Sequence, residues 1–235
     1  MLSKPNCNYC TFNDLCIRKL PLFASLNDDD LKTLFPLIKH HSYHKDEIIL
    51  LEGQTIDSLM LINDGKLKAS KYALSGKEQI LHIFDIGDFY GEQFFTDDKI
   101  NHYTITALTD TKVCTFTKDD FDKILKDHPN ISTSLISSLY KRMRKLETTV
   151  SHLNIRDINM RVNALLLEYV QKYGVYDGDR IIIDLPINRE QMANLLGITR
   201  ETMSRKLSKL EDQKIIKSID HKHLQILDIS RLTSD

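Results

Sequence analysis

Residues 130–153 read NISTSLISSLYKRMRKLETTVSHL and predict the helix around which the rest of the chain is arranged. Apolar residues recur at alternating spacings of three and four, which is typical of a helix that pairs with another helix. No Pro or Gly interrupts the pattern, and such a helix would be roughly 35 Å long. The predicted dimer seam consists of Ile136, Leu139, Met143, Leu146, Val150 and Leu153. A helix buried in the core of its own domain is the alternative.

The sequence before this helix predicts a β-roll. Between residues 42 and 117, short runs rich in Ile, Leu, Phe and Tyr alternate with glycine turns such as Asn63-Asp64-Gly65. Many short strands separated by such turns are typical of a barrel or sandwich. Helical periodicity predicts a helix over residues 26–39 in front of the roll, and a short helix from Lys118 to just before Pro129 behind it.

The sequence after the long helix predicts a compact domain with a wing. An amphipathic helix over residues 159–173 should be closed by Gly174, as helix C-termini prefer. A strand at 181–185 follows. Beyond the next two helices, the apolar runs at 215–219 and 224–229 predict a hairpin that forms the wing.

Between that strand and the wing, the chain predicts a helix-turn-helix. Asn188 and Gln191 form the pattern of a capping box, Gly197 permits a tight turn, and Thr199 can cap a second helix. The second helix of this motif enters the major groove of DNA, where Arg binds guanine and Glu accepts from cytosine. Its predicted inward-facing residues are Met203, Leu207 and Leu210. The predicted DNA-binding residues are Arg200, Glu201, Ser204, Arg205, Lys206 and Lys209. A solvated helix hairpin with ordinary surface charge is the alternative.

Composition limits the class of protein. The 235 residues are enough for two domains, and the net charge of −1 argues against a protein coated in nucleic acid but allows a local basic surface. No apolar run of about 18 residues and no signal-peptide pattern occurs, so we expect a cytoplasmic protein without a membrane partner. The sequence has no nucleophile–base arrangement and no phosphate-binding Gly-Lys motif. We therefore expect a protein that is not an enzyme.

The chain has four cysteines: Cys7, Cys10, Cys16 and Cys114. In a reducing cytoplasm, closely spaced cysteines indicate metal or redox chemistry more often than structural disulfides. Cys114 alone, among apolar residues of a predicted strand, would be typical of a buried core cysteine.

These motifs resemble the CRP/FNR family of bacterial transcription regulators. The resemblance runs from about Leu20 to Leu232 and is strongest in KDEIILLEGQ, SLMLINDGKLK, GKEQILHIFDIGDFYGE and GITRETMSRKLSKLEDQKII. It implies an α+β fold with an N-terminal β-roll of the cyclic-nucleotide-binding, jelly-roll type, a long dimerisation helix and a C-terminal winged helix-turn-helix. The implied segments are a cysteine segment (1–20), the sensory β-roll (21–129), the dimerisation helix with its hinge (130–157) and the DNA-binding domain (158–235).

Within that family, the cysteines resemble those of the FNR branch. Cys7-x2-Cys10-x5-Cys16 and a fourth cysteine late in the roll, here Cys114, imply an oxygen-labile 4Fe–4S cluster held by four thiolates. Structural Zn²⁺ on the same residues, or a switching disulfide between Cys114 and Cys7 or Cys10, are the alternatives. Haem ligation is a further family property, but its candidates lie in no specific motif: His40, His41, His44, His82 and His102.

Two features separate this chain from the cyclic-AMP branch of the family. The segment GEQFFTDDKINHYTI, which begins at Gly91, offers no Arg to hold a cyclic phosphate, so we expect no cyclic nucleotide. Glu201, Ser204 and Arg205 match the FNR-type E-x-x-S-R pattern and imply a homodimer on a double-stranded TTGA-type inverted repeat, with RNA polymerase as a further partner. Arg200 resembles the cyclic-AMP branch, which leaves the outer bases open.

The seam of the long helix implies a further difference from oxygen-sensing relatives. Such relatives need marginal helix pairing and often carry a charge here, whereas Met143, Leu146 and Val150 are apolar. We therefore expect the cluster-free protein to dimerise more readily than its relatives do.

Overall fold

The computed structural model describes residues 17, 20–153, 157–178 and 180–233, and at 145 and 148–153 it describes the backbone alone. The chain divides into two compact units, residues 1–142 and residues 143–235. The first is rich in strands, and the second combines helices with a small sheet. The predicted α+β class is confirmed.

The first unit is an antiparallel roll of two four-stranded sheets. Its strands are β1 (Lys39–Tyr43), β2 (Ile48–Leu50), β3 (Ser58–Asp64), β4 (Leu67–Tyr72), β5 (Glu78–Phe84), β6 (Phe89–Tyr90), β7 (Thr104–Ala107) and β8 (Thr111–Thr117). One sheet has the order β1-β8-β3-β6, and the other has the order β2-β7-β4-β5. Its helices are α1 (Asp28–Leu34), α2 (Lys118–Asp127) and the first part of α3 (Asn130–Leu153). Side chains from the strands and from all three helices share one hydrophobic core.

The predicted helix over residues 26–39 is wrong in extent. Helix α1 ends at Leu34, a 3-10 turn occupies Phe35–Leu37, and strand β1 begins at Lys39. Pro36 explains the early end, because proline has no N–H to donate and its ring clashes with the preceding turn of an α-helix. Strand β1, KHHSY, has no apolar alternation, so periodicity could not indicate it.

Two glycines of the roll allow close backbone approach. Gly65 has φ +83° and Gly91 has φ +108°, both in the left-handed region. A Cβ on Gly65 would lie 2.4 Å from the carbonyl oxygen of Asp110, and one on Gly91 would lie 2.3 Å from that of Ser58. Both positions therefore require glycine for the path of the chain itself.

The second unit contains helices around a four-stranded antiparallel sheet. Its elements after α3 are α4 (Ile158–Tyr173), β9 (Gly174–Asp177), β10 (Arg180–Asp184), α5 (Arg189–Leu196), α6 (Arg200–Asp212), β11 (Ile216–Ser218), β12 (His223–Ile226) and α7 (Ser230–Thr233). The sheet order is β11-β12-β10-β9. The predicted wing hairpin is β11 and β12. No described helix in either unit is both long and apolar enough to cross a membrane.

Gly174 ends helix α4, as predicted, and its backbone is not left-handed. Its φ is −72°, and the chain passes directly into the edge strand β9. A Cβ at this position would lie 2.3 Å from the carbonyl oxygen of Val170, to which the Gly174 N–H donates. Glycine is needed here because the strand leaves the helix in close contact with its last turn.

Candidate DNA interface and cysteine site

Helices α5 and α6 meet at a turn whose geometry follows from local side-chain caps. Asn188 Oδ1 accepts from the N–H of Gln191 at 2.9 Å, and Gln191 Oε1 accepts from the N–H of Asn188 at 3.0 Å. Gly197 follows α5 with φ +66°, in the left-handed region. Thr199 Oγ1 then accepts from the N–H of Thr202 at 3.2 Å and starts α6. The predicted helix-turn-helix, with its capping box, is confirmed.

Helix α6 presents one apolar and one polar face. Met203, Leu207 and Leu210 are buried, as predicted. Of the predicted DNA-binding residues, Arg200, Glu201, Arg205 and Lys209 are exposed and Ser204 is half-buried. Such a polar helix face can contact base edges and phosphates in the major groove.

Ser208 also belongs to the polar face, although the sequence interpretation missed it. It is exposed and lies three residues after Arg205, which in turn lies four residues after Glu201, so the three residues are on one side of the helix. The spacing alone could have identified it. Its hydroxyl can donate to or accept from a phosphate or a base edge.

Lys206 points toward helix α4. Its Nζ donates to Asn159 Oδ1 at 2.6 Å, and the side chain is half-buried. The structure therefore gives Lys206 a role in packing α6 on α4, and its predicted contact with DNA stays a prediction.

The turn of the wing is fixed by one carboxylate. Asp220 accepts from the N–H groups of Lys222 and His223 at 2.7 and 2.8 Å, and from Nδ1 of His223 at 2.8 Å. The bond from the His223 ring, together with these N–H groups, lowers the pKa of Asp220 to about 2. The wing is also joined to α6, because Glu211 Oε1 accepts from the N–H of Ser218 at 2.8 Å. The bonds to Asp220 thus fix the shape of the wing turn, and the bond to Glu211 joins the wing to helix α6 within the second unit.

Helix α3 exposes an apolar row that only partly matches the predicted seam. Ile136, Met143 and Leu146 are 66%, 48% and 50% exposed, as expected for side chains that another chain could cover. Leu139, in contrast, packs against the core of the roll. Tyr140 is 57% exposed and lies in the row with Ile136 and Met143, at spacings of four and three. The predicted seam residues Val150 and Leu153 have no described side chains.

Arg142 attaches α3 to the roll. Its Nη1 bonds to Glu92 Oε1, and its Nη2 donates to the carbonyl oxygen of Phe89 at 2.6 Å. The guanidinium carbon also lies 5.2 and 4.9 Å from the ring centroids of Phe84 and Phe89, within cation–π range. The acidic side chain that follows the IGDFYG turn is therefore bound by an arginine of the same chain, a contact that sequence spacing did not indicate.

A neutral residue is buried in the segment where the cyclic-AMP branch has its arginine. Asn101 is fully buried; its Oδ1 accepts from the Tyr90 hydroxyl at 2.5 Å, and its Nδ2 donates to the Leu51 carbonyl at 2.6 Å. Burial raises the pKa of Tyr90, which keeps this hydroxyl a donor. Both the oxygen and the nitrogen of the Asn101 amide are thus used in hydrogen bonds within the roll.

Cys114 lies on β8, directly opposite His40 on β1 and Leu61 on β3. The residue is fully buried, and its Sγ lies 3.5 Å from Nδ1 of His40. Cys7, Cys10 and Cys16 lie outside the described residues. Within the described part, no group of three or more His, Cys, Asp or Glu residues is placed to hold a metal ion.

The other four candidate histidines lie at separate places on the roll. His41 Nε2 lies 3.2 Å from Thr115 Oγ1, and His82 packs edge-on against Phe84. His44 and His102 are exposed and lie near Asp110 and Asp98, respectively. The five histidines thus share no common site in the described structure.

The structure thus contains a glycine-punctuated antiparallel roll, a long helix with an exposed apolar row and a winged helix-turn-helix of the kind that binds DNA. Residues 40–128 match the family description Cyclic nucleotide-binding domain, and residues 160–234 match Crp-like helix-turn-helix domain. The probable transcriptional regulator flp from Lacticaseibacillus casei is 32% identical over 202 residues, 86% of this chain and 89% of that protein. The chain belongs to the CRP/FNR family of DNA-binding transcription regulators.

Solved structures share the fold. FixK2 from Bradyrhizobium japonicum is 24% identical with a TM-score of 0.73, over 83% of this chain and 95% of that chain. A CooA mutant from Carboxydothermus hydrogenoformans is 22% identical with a TM-score of 0.74, over 85% of this chain and 88% of that chain. The family resemblance drawn from the sequence is confirmed, and regulators of this family bind DNA as dimers.

Proposed function

We propose that this regulator is of the FNR type and senses oxygen or redox state through a 4Fe–4S cluster held by Cys7, Cys10, Cys16 and Cys114. The observation that carries the proposal is the position of Cys114 on the central strand β8, combined with the N-terminal C-x2-C-x5-C spacing. Four thiolates are the usual ligands of such a cluster, which supplies a redox-active group that reacts with oxygen.

The described residues fit the fixed part of that ligand set. The Cys114 thiol is held by a strand paired on both sides, so its position does not depend on a loop. Ile17, the residue after Cys16, belongs to the same hydrophobic core as Cys114. A ligand fixed on the scaffold and three in one short segment would let cluster binding change the path of that segment.

The DNA target follows from the polar face of α6. We propose that two recognition helices, one from each copy, read a TTGA-type inverted repeat through Glu201, Ser204 and Arg205. A two-fold symmetric dimer requires half-sites about one helical turn apart. The exposed row Ile136, Tyr140 and Met143 supports pairing of the long helices. We also propose that the regulator is cytoplasmic, that it is not an enzyme and that RNA polymerase is a further partner.

The attachment of α3 to the roll supports a route for the signal. Arg142 bonds to Glu92 and to the Phe89 carbonyl, so a shift of the roll at these groups would be passed to the dimer helix. Binding of the cluster by the cysteines would then favour one of two arrangements of the paired α3 helices. The signal would thus act by a population shift, without a new contact at the DNA.

We propose that the roll does not bind a cyclic nucleotide. Glu92 is engaged by Arg142, and Asn101 offers no positive charge for a buried phosphate. Isothermal titration of the purified protein with cyclic AMP and cyclic GMP should give no saturable heat. Saturable binding of either nucleotide would contradict this prediction.

The proposed cluster is tested by anaerobic purification followed by an absorption spectrum and assays of iron, sulfide and zinc. We expect a coloured protein with equal amounts of iron and sulfide, and loss of both in Cys114→Ser. Zinc without sulfide would support the structural-zinc alternative, and a metal-free protein with a disulfide to Cys114 would support the thiol switch. A colourless, iron-free protein that still binds its operator would contradict the proposed cluster.

A further inference from the structure

Two adjacent histidines on β1 have different surroundings. His40 lies opposite Cys114, whereas His41 lies opposite Val113 and reaches Thr115 Oγ1 at 3.2 Å. Successive side chains of a strand point to opposite faces, so only His40 shares the face of the cysteine. Directly opposite residues on neighbouring strands are close enough for their side chains to interact.

The bonding of the His40 ring is incomplete among the described residues. Its Nδ1 lies 3.5 Å from the Cys114 Sγ, and its Nε2 is buried with no hydrogen-bond partner in the described part of the chain. The Phe35 ring lies beside it, with centroids 6.4 Å apart. A neutral thiol is only a weak acceptor, so the contact between Nδ1 and Sγ is a weak bond while the cysteine is protonated. A stronger acceptor at the sulfur would strengthen this contact.

A metal-bound thiolate is such an acceptor, because it carries negative charge and hydrogen bonds to charged acceptors are stronger. We propose that His40 is a positioning residue for the cluster and donates from Nδ1 to the coordinated Cys114 sulfur. This inference rests on the proposed cluster. Hydrogen bonds to ligand sulfurs are among the factors that set the potential of an iron–sulfur centre. The bond stabilises the more negative, reduced state, so His40 raises the reduction potential.

The chain offers a matched set of variants. His40→Asn keeps an N–H close to the Nδ1 position, whereas His40→Gln carries its amide further out, toward the Nε2 position. His40→Leu fills a similar space without a donor. His41→Leu makes the same change one residue along β1, on the face away from Cys114. Each variant is purified without oxygen as the full chain, and its iron and sulfide contents and its reduction potential are measured.

We expect a lower reduction potential in His40→Leu and His40→Gln, recovery toward the wild-type value in His40→Asn, and no shift in His41→Leu. If His40→Leu fails to fold, the reduction potentials of His40→Asn and His40→Gln still test the role of His40. Both variants carry a polar amide, and they differ in where its N–H lies. Equal potentials in those two variants, or a wild-type potential in His40→Leu, would overturn the role of His40 while leaving the cluster in place. A wild-type protein without iron and sulfide would overturn the proposed function itself, and this inference with it.

Discussion

At the scale of single residues, contacts depend on which way a long side chain turns. Lys206 and Arg205 are neighbours in sequence, yet Lys206 bonds to Asn159 on α4 while Arg205 is exposed. Arg142 and Arg144 differ in the same way: Arg142 reaches Glu92 on the roll, and Arg144 reaches Glu147 on its own helix. Sequence periodicity predicts the face of a helix on which a residue lies. It does not predict which residue of another element the side chain will contact.

Arg205 is the residue for which base reading is most directly testable. Replacing Arg205 with Ala should cost about 1–3 kcal/mol of operator binding and relax the preference at one base position. Lys209→Ala is the matched control on the same helix, because a phosphate contact should weaken all sequences alike and reduce the salt dependence. Binding assays on a set of single-base operator variants measure both. Uniform weakening by Arg205→Ala would contradict a base-reading role.

The bond between Arg142 and Glu92 should stabilise the first unit. Their side chains are 20% and 23% exposed, compared with 64% and 53% for Arg144 and Glu147. A double-mutant cycle with Arg142→Leu and Glu92→Gln should give a coupling on the order of 2 kcal/mol in the free energy of unfolding.

The same cycle on Arg144 and Glu147 is the control, and it should give less than about 1 kcal/mol because exposed ion pairs are screened by solvent. Urea unfolding followed by circular dichroism measures both couplings. Equal couplings for the two pairs would contradict the prediction that the bond between Arg142 and Glu92 stabilises the first unit.

At the scale of elements, local signals determined what could be predicted. The caps at Asn188 and Thr199 and the turn at Gly197 identified α5 and α6 correctly, because these bonds are made within a few residues. Strands β1, β6 and β9 were missed because they are short or lack alternation. Strands β1 and β6 pair with strands distant in sequence, whereas β9 forms a hairpin with β10. Helix α3 has apolar residues on two sides, and sequence spacing could not decide which side the roll covers.

The exposed row of α3 should carry the dimer contact. Met143→Glu places a charge among Ile136, Tyr140 and their counterparts in the second copy, and should weaken dimerisation at least tenfold, or about 1.4 kcal/mol. Lys141→Glu is the control, because residue 141 lies on a different side of the helix. Sedimentation of the cluster-free protein at micromolar concentration should show a dimer for the wild type and Lys141→Glu. A wild-type monomer under these conditions would contradict the apolar-seam prediction.

At the scale of the whole molecule, the family and its fold could be predicted because glycine turns, helix caps and the recognition helix are all local patterns. The chemistry of the sensor could be predicted only as a set of cysteines, since three of them precede the described core and the fourth is buried beside His40. We propose that a signal at the cysteines changes the roll, and that Arg142 and α3 carry that change to the recognition helices.

Operator affinity measured in two states of one preparation tests this account most directly. The protein is purified without oxygen and titrated onto a TTGA-type inverted repeat, and then titrated again after exposure to air has removed the cluster. A scrambled repeat of the same length is the control for non-specific binding. We predict tighter and sequence-specific binding with the cluster intact and weaker binding after its loss. Equal affinities in the two states would contradict it.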